Sequence, residues 1–246
     1  DDVRTIMQQQ GALALISLDG YDEVKITGVE GTIRRVSVKE EDEIKAGDTL
    51  FVLGDVVDRG EQPMEVLKDM MTRSNVYPIM GNHDFLALYL LDKLNMEITE
   101  ENIDNALTTE DMNDVLAWLD DGGTTTITGF QKLPKHERND ILEYLSEFAP
   151  YETVDVGSKT FIMVHAGLGN FRKDKKLSEY SNEELLLTRA DPNIRLFDDE
   201  NIFLITGHTP TPLISGIPEI YHGASTICID CGACEDACPV GAIAAE

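Results

Sequence analysis

Thr49-Leu50-Phe51-Val52-Leu53-Gly54-Asp55-Val56-Val57-Asp58-Arg59-Gly60 decides how the rest of the chain is read. Its first five residues form an apolar run with the length and composition of a buried strand. The turn that follows carries two carboxylates and a guanidinium between two glycines. A turn that only reverses the chain accounts for one acid and one glycine. The full set stands where open α/β sheets hold ligands, outside the carboxyl end of a strand.

Three further segments repeat the arrangement. Val76 to Met80 runs into Gly81-Asn82-His83-Asp84, Thr160 to Val164 into His165-Ala166-Gly167, and Ile202 to Thr206 into Gly207-His208-Thr209-Pro210. The chain has only 5 His, and three stand at such strand ends beside a glycine. A lone His there is most often a structural hydrogen-bonder; three, joined by Asp and Asn, form a ligand set. Carboxylate, amide oxygen and imidazole together suit Mn²⁺, Fe or Zn²⁺.

The remaining pattern predicts an α/β fold in one domain over residues 1–246. Apolar positions at Met64, Val66, Leu67 and Met70 predict a helix, and helical periodicity returns at 84–95, 110–120 and 135–148, giving a helical cap region over 84–148. Gly122-Gly123 breaks the second of these, and a Thr-rich loop is expected after it. Tyr151 to Val156 and Thr160 to Val164 form a hairpin about Gly157-Ser158-Lys159. Ser181, with Glu184 three residues on, caps a short helix ending at Leu187. Gly11 to Leu18 reads as a first core strand. Residues 21–48, where Val, Ile and Thr alternate with charges, read as a β-rich insert of short strands and hairpins.

Composition narrows the partners. Lys and Arg number 20 against 46 Asp and Glu, a net charge of -26. That field repels phosphate backbones, which excludes nucleic acid, and it draws divalent cations. With neither a signal peptide nor an apolar run of about 18 residues, the sequence predicts a soluble cytoplasmic protein with no membrane partner. All 4 Cys lie after residue 227, which points to a local thiolate site and not to a disulfide framework.

Taken in order, GDVVDRG, GNHD, VHAG and GHTP resemble the metallophosphoesterases, specifically the bacterial phosphoprotein (Ser/Thr) phosphatases, over residues 49–232. The resemblance implies a β-sandwich flanked by helices, with two metals at the strand ends. It implies hydrolysis of phosphomonoesters by a metal-bound hydroxide, on a phosphorylated protein or a small phosphoester, with a dinucleoside polyphosphate as the rival substrate. Carried over residue by residue, Asp55 bridges the metals, and Asn82, His165 and His208 complete the second metal's set. His83 is the general acid, Asp58 orients it, and Arg59 and Arg189 (in LLLTRADP) hold phosphate. Mn²⁺ is the expected ion, with Fe or Zn²⁺ as alternatives.

The chain departs from that pattern in three places. The family's first motif, Gly-Asp-x-His-Gly, is replaced by Ser17-Leu18-Asp19-Gly20-Tyr21, and no His precedes His83. Asp19 is the remaining candidate ligand, so a catalytically impaired single-metal phosphate binder stands as an alternative. Residues 31–50 resemble the first half of a biotinyl or lipoyl carrier domain, without its modifiable lysine motif. Finally, Cys228, Cys231, Cys234 and Cys238-Pro239 form C-x2-C-x2-C-x3-C-P and make residues 228–246 resemble a clostridial-type ferredoxin. That resemblance implies an iron–sulfur cluster and a third alternative, an electron-transfer module. The likenesses change over at words two families share, Gly47-Asp48-Thr49-Leu50 and Cys228-Ile229-Asp230-Cys231-Gly232, so the sequence reads as a mosaic.

Overall fold

The computed structural model describes residues 49–99, 107–217 and 219–230, and the backbone of four short strands between 16 and 36. Those strands are β1 (Ile16–Leu18), β2 (Val24–Ile26), β3 (Val29–Gly31) and β4 (Ile33–Val36). β2 and β3 form an antiparallel hairpin, and β4 pairs antiparallel with β1. The β-character read in the insert is therefore present. Asp19, Cys231, Cys234 and Cys238 lie outside the described residues.

From residue 49 the chain alternates strand and helix. β5 (Leu50–Val52) pairs in parallel with β6 (Val76–Pro78), and α1 (Pro63–Met71) connects them. Beyond β6, Ile79 continues only as a parallel bridge to Ala149. The helical region holds α2 (Asn82–Asn95), α3 (Thr109–Trp118), α4 (Thr124–Gln131) and α5 (Lys135–Ser146). Then come β7 (Glu152–Val156), β8 (Lys159–Met163), α6 (Asn182–Leu186), β9 (Ile202–Thr206), α7 (Pro212–Ser215), β10 (Tyr221–His222) and β11 (Thr226–Cys228). Five of these strands form a sheet in the order β10-β11-β9-β8-β7, parallel through β11, β9 and β8. This is the α/β architecture the sequence predicts.

Strand periodicity sorts the apolar residues between two cores. Leu50 and Val52 face the cluster that also buries Leu67, Leu90 and Trp118, whereas Phe51 and Leu53 face the cluster of Ile79, Met163 and Ile229. Ile162 and Leu204 go to the first cluster, and Phe161, Met163 and Ile205 to the second. Strands covered on both faces read as unbroken apolar runs, which is why Thr49 to Leu53 shows no polar alternation.

Ser181 caps α6 as expected, accepting from the Glu184 N–H while the Glu184 side chain reaches back. The Thr-rich loop was expected wrongly. Residues Thr124 to Gln131 are α4, although five of the eight are β-branched and resist helix by lost side-chain freedom. Burial of Thr126, Ile127 and Phe130 on one face outweighs that preference. The break is confined to a wide π-type turn, Leu119–Gly123, where Gly122 takes φ 104°. Among the described residues no helix is long and apolar enough to cross a membrane.

Leu67 has 0% exposure on α1 and Leu116 on α3 has 58%. Leu67→Ala is expected to lower unfolding free energy by about 2–5 kcal/mol, and Leu116→Ala to change it by less than about 0.5 kcal/mol. Chemical denaturation midpoints with an unchanged slope check both.

Candidate active site

The turn after β5 is built by close approach. A Cβ on Gly54 (φ 84°) would lie 2.4 Å from the Gly81 Cα, and one on Gly81 would lie 2.3 Å from the Asp55 N. Only glycines let the ends of β5 and β6 meet this closely. Asp55, Asp58 and Arg59 then take φ of 55°, 69° and 56°, and His208 takes 61°. Left-handed backbone at non-glycine residues costs on the order of 1–3 kcal/mol each and concentrates at functional sites.

The buried Asp84 carboxylate compensates that cost. Its Oδ2 accepts from the Asp55 N–H at 2.7 Å and the Gly81 N–H at 3.0 Å, and its Oδ1 accepts from the Val56 N–H at 2.9 Å. Burial and the neighbouring Asp55 charge push the Asp84 pKa up to about 7, against the pull of those N–H donors.

Asp55, Asn82, His165 and His208 converge. His165 Nε2 lies 2.9 Å from Asn82 Oδ1, 3.1 Å from His208 Nδ1 and 3.3 Å from Asp55 Oδ2. Its other nitrogen, Nδ1, is 2.5 Å from the Leu53 carbonyl oxygen, which can only accept. The proton of the neutral ring therefore sits on Nδ1, and Nε2 presents a lone pair. Asn82 Oδ1, Asp55 Oδ2 and His165 Nε2 then face one another as acceptors, with His208 Nδ1 beside them, an arrangement that fits a cation. Asp55, His165 and His208 place one ligand atom each within 4.8 Å of the others. Burial disfavours charge on His165, but Asp55 outweighs it and lifts the pKa to about 9, so a proton fills the cation's role when no metal is bound. Burial and the His165 charge lower His208 to about 4, which keeps that ring neutral and able to ligate.

His83 and Asp58 form the second group. Asp58 Oδ2 accepts from His83 Nδ1 at 2.7 Å and from Trp118 Nε1 at 2.6 Å, and Oδ1 accepts from Thr126 Oγ1 at 2.6 Å. The Asp58 N–H donates to the same Thr126 oxygen at 2.8 Å. Asp58 is thus fixed, and it fixes the ring, leaving His83 Nε2 directed toward Arg59 Nη2 at 3.2 Å. Burial works against the charged ring, but the Asp58 hydrogen bond and the Asp55 and Asp58 charges raise the His83 pKa.

Arg59 is half exposed and ion-paired with Asp121. Arg189 lies close enough to His208 for its charge to oppose a proton there. The Ala190 N–H donates to the Ala166 carbonyl at 3.3 Å and anchors that segment beside His165. Motif reading gave no role to Asp84, Trp118, Thr126 or Asp121. The available signals were Asp84 inside GNHD and the single Trp of the chain.

Cys228 is elsewhere. It is buried in β11 between β10 and β9, and its Sγ lies 3.1 Å from the Thr209 carbonyl oxygen. A thiol facing a carbonyl inside a sheet takes the place of a small core side chain. The other three cysteines of the run lie outside the described residues.

Comparison with known proteins agrees with this geometry. The family described as calcineurin-like phosphoesterase matches residues 30–230, a span that takes in the 31–50 segment, and a 4Fe-4S binding domain matches residues 225–244. The chain is similar to proteins named symmetrical bis(5'-nucleosyl)-tetraphosphatase. That of Shewanella loihica is 34% identical over 73 residues, 29% of this chain and 27% of that protein. That of Xylella fastidiosa (strain 9a5c) is 36% identical over 75 residues, 29% and 26%. That of Chromobacterium violaceum is 34% identical over 73 residues, 29% and 26%. The aligned part is thus about a quarter of the length of these relatives.

Two measurements check the site. Mn²⁺ at 100 times its dissociation constant is expected to stabilise the protein by about 2.7 kcal/mol, a gain that a chelator reverses and His208→Ala abolishes. In metal-free protein the His83 ring is expected to titrate above the ordinary imidazole range, and Asp58→Asn to bring it down, read by NMR. Because the shift is upward, the stability it contributes is complete below the unfolded value and is lost as pH rises through the folded one.

Proposed function

The chain belongs to the calcineurin-like phosphoesterase family, and we propose that it hydrolyses the polyphosphate bridge of a dinucleoside polyphosphate. The phosphoprotein substrate that the motifs first suggested gives way because the relatives bear a dinucleoside tetraphosphatase name. The observation that carries the hydrolase reading is the convergence of acceptor atoms on His165 Nε2 beside the His83–Asp58 pair.

Asp55, Asn82, His165 and His208 would hold a divalent cation, Mn²⁺ or a similar ion. Bound there, it supplies Lewis-acid polarisation of phosphoryl oxygens and lowers the pKa of water. His83 holds a proton at Nε2 for the leaving oxygen, and Asp58 secures the ring by accepting from Nδ1. Arg59 and Arg189 supply planar forks for the non-bridging oxygens. Water adds across one P–O–P bond, and a symmetrical cut of a tetraphosphate releases two nucleoside diphosphates. A diphosphate leaves more easily than a serine alkoxide, so the anhydride depends less on His83 than a phosphomonoester does.

One convergent group forms among the described residues, which keeps a single-metal phosphate binder as the second reading. Metal content per folded chain separates the two. Full-length protein with Mn²⁺ is expected to turn over diadenosine tetraphosphate to ADP with kcat/KM at least about tenfold above that for a phosphoserine peptide. His83→Asn is expected to lower kcat by about 10²-fold or more on a phosphoserine peptide, and by less on the tetraphosphate. The opposite preference rejects the substrate assignment, and turnover unaffected by Asp55→Asn rejects the site.

A further inference from the structure

Arg59 is gripped by the turn between α3 and α4. Its Nη2 lies 2.9 Å from Asp121 Oδ1, its Nε donates to the Asp121 carbonyl at 3.4 Å, and its backbone N–H donates to the Gly122 carbonyl at 3.0 Å. The other carboxylate oxygen, Asp121 Oδ2, is 3.8 Å from His83 Nε2. Asp121 therefore stands at the two groups that would face a phosphoryl, the outer N–H of the guanidinium and the His83 Nε2.

The turn is shaped to bring it there. A Cβ on Gly122 would lie 2.6 Å from Arg59 Cγ, and one on Gly123 would lie 2.6 Å from the Trp118 ring. The turn's ends are held by Trp118, bonded to Asp58, and by Thr126, bonded to the same carboxylate. Its middle is open, with the Asp121 side chain 58% exposed. A carboxylate presents two oxygens to a guanidinium much as a phosphate does.

We propose that Asp121 is a resident anion on the phosphate grip of Arg59, which an incoming phosphate must displace, making Asp121 a specificity-determining residue. The proposal rests on the phosphate-handling role given to Arg59 above. A polyphosphate, with several negative charges and a long reach, displaces the carboxylate more readily than a monoanion does. Displacement frees Asp121 into solvent, because its side chain is already more than half exposed. An exposed ion pair contributes little, so the barrier is small and selective.

Inorganic phosphate tests this without any turnover, so the result stands whether or not the chain hydrolyses dinucleoside polyphosphates. Calorimetric titration of the Mn²⁺-loaded full chain is expected to show phosphate binding about 5-fold more tightly to Asp121→Asn and Asp121→Ala than to wild type. That gain is expected to vanish in an Arg59→Ala background. Unchanged or weaker binding in both Asp121 variants overturns the proposal, since an aspartate that only positions Arg59 gives that result. An equal gain with Arg59 removed also overturns it, because the effect is then the general loss of one negative charge.

Discussion

Three backbone N–H groups meet on the buried Asp84 carboxylate, and the site exists because they do. Two belong to the turn after β5 and one to the turn after β6. The carboxylate thus welds two loops that the sheet alone would leave side by side. Three bonds to one acceptor hold both turns in place, and with them the left-handed backbone of Asp55. With their main chains held, the side chains of Asp55 and Asn82 are free to point at His165. Asp58 repeats the principle one layer out. Its oxygens are taken by a ring, an indole and a hydroxyl, so it has little freedom left except to hold His83.

Charge gives these arrangements their chemistry. Asp55, Asp58 and Asp84 stand within one small region of a chain already carrying -26. Bringing them together is unfavourable unless positive charge is interleaved. His83 and His165 provide it as protons, and a metal provides it better. The same crowding that raises the His83 and His165 pKa values makes the centre bind cations. Cation and proton are alternative solutions to one electrostatic problem.

Much of this was legible in local sequence. Strand ends carrying Asp55, Asn82, His165 and His208 stood out because ligand types followed apolar runs four times. The α6 cap could be read because Ser181 and Glu184 interact across one turn. What escaped reading acts across distance. Trp118 and Thr126 reach Asp58 from 60 and 68 residues away, and no local pattern encodes such a contact. Helix α4 was missed for the related reason that its threonines are held by tertiary burial against their own preference. The 4Fe-4S likeness carries local wording whose spatial setting the sequence does not encode. The wording around Cys228 is that of a ferredoxin, but the strand pairing on both sides of it makes it a core residue.

The backbone at Asp55, Asp58, Arg59 and His208 has a further consequence. Each adopts a conformation that glycine takes at no steric cost. At those four positions, therefore, the residue that relaxes the chain and the residue that performs the chemistry are different. A lineage released from its substrate would have an easy descent open to it, exchanging ligands for glycines and becoming sturdier as it became inert. An acid, an acid, an arginine and a histidine stand there instead, at a backbone cost that their chemistry has to outweigh.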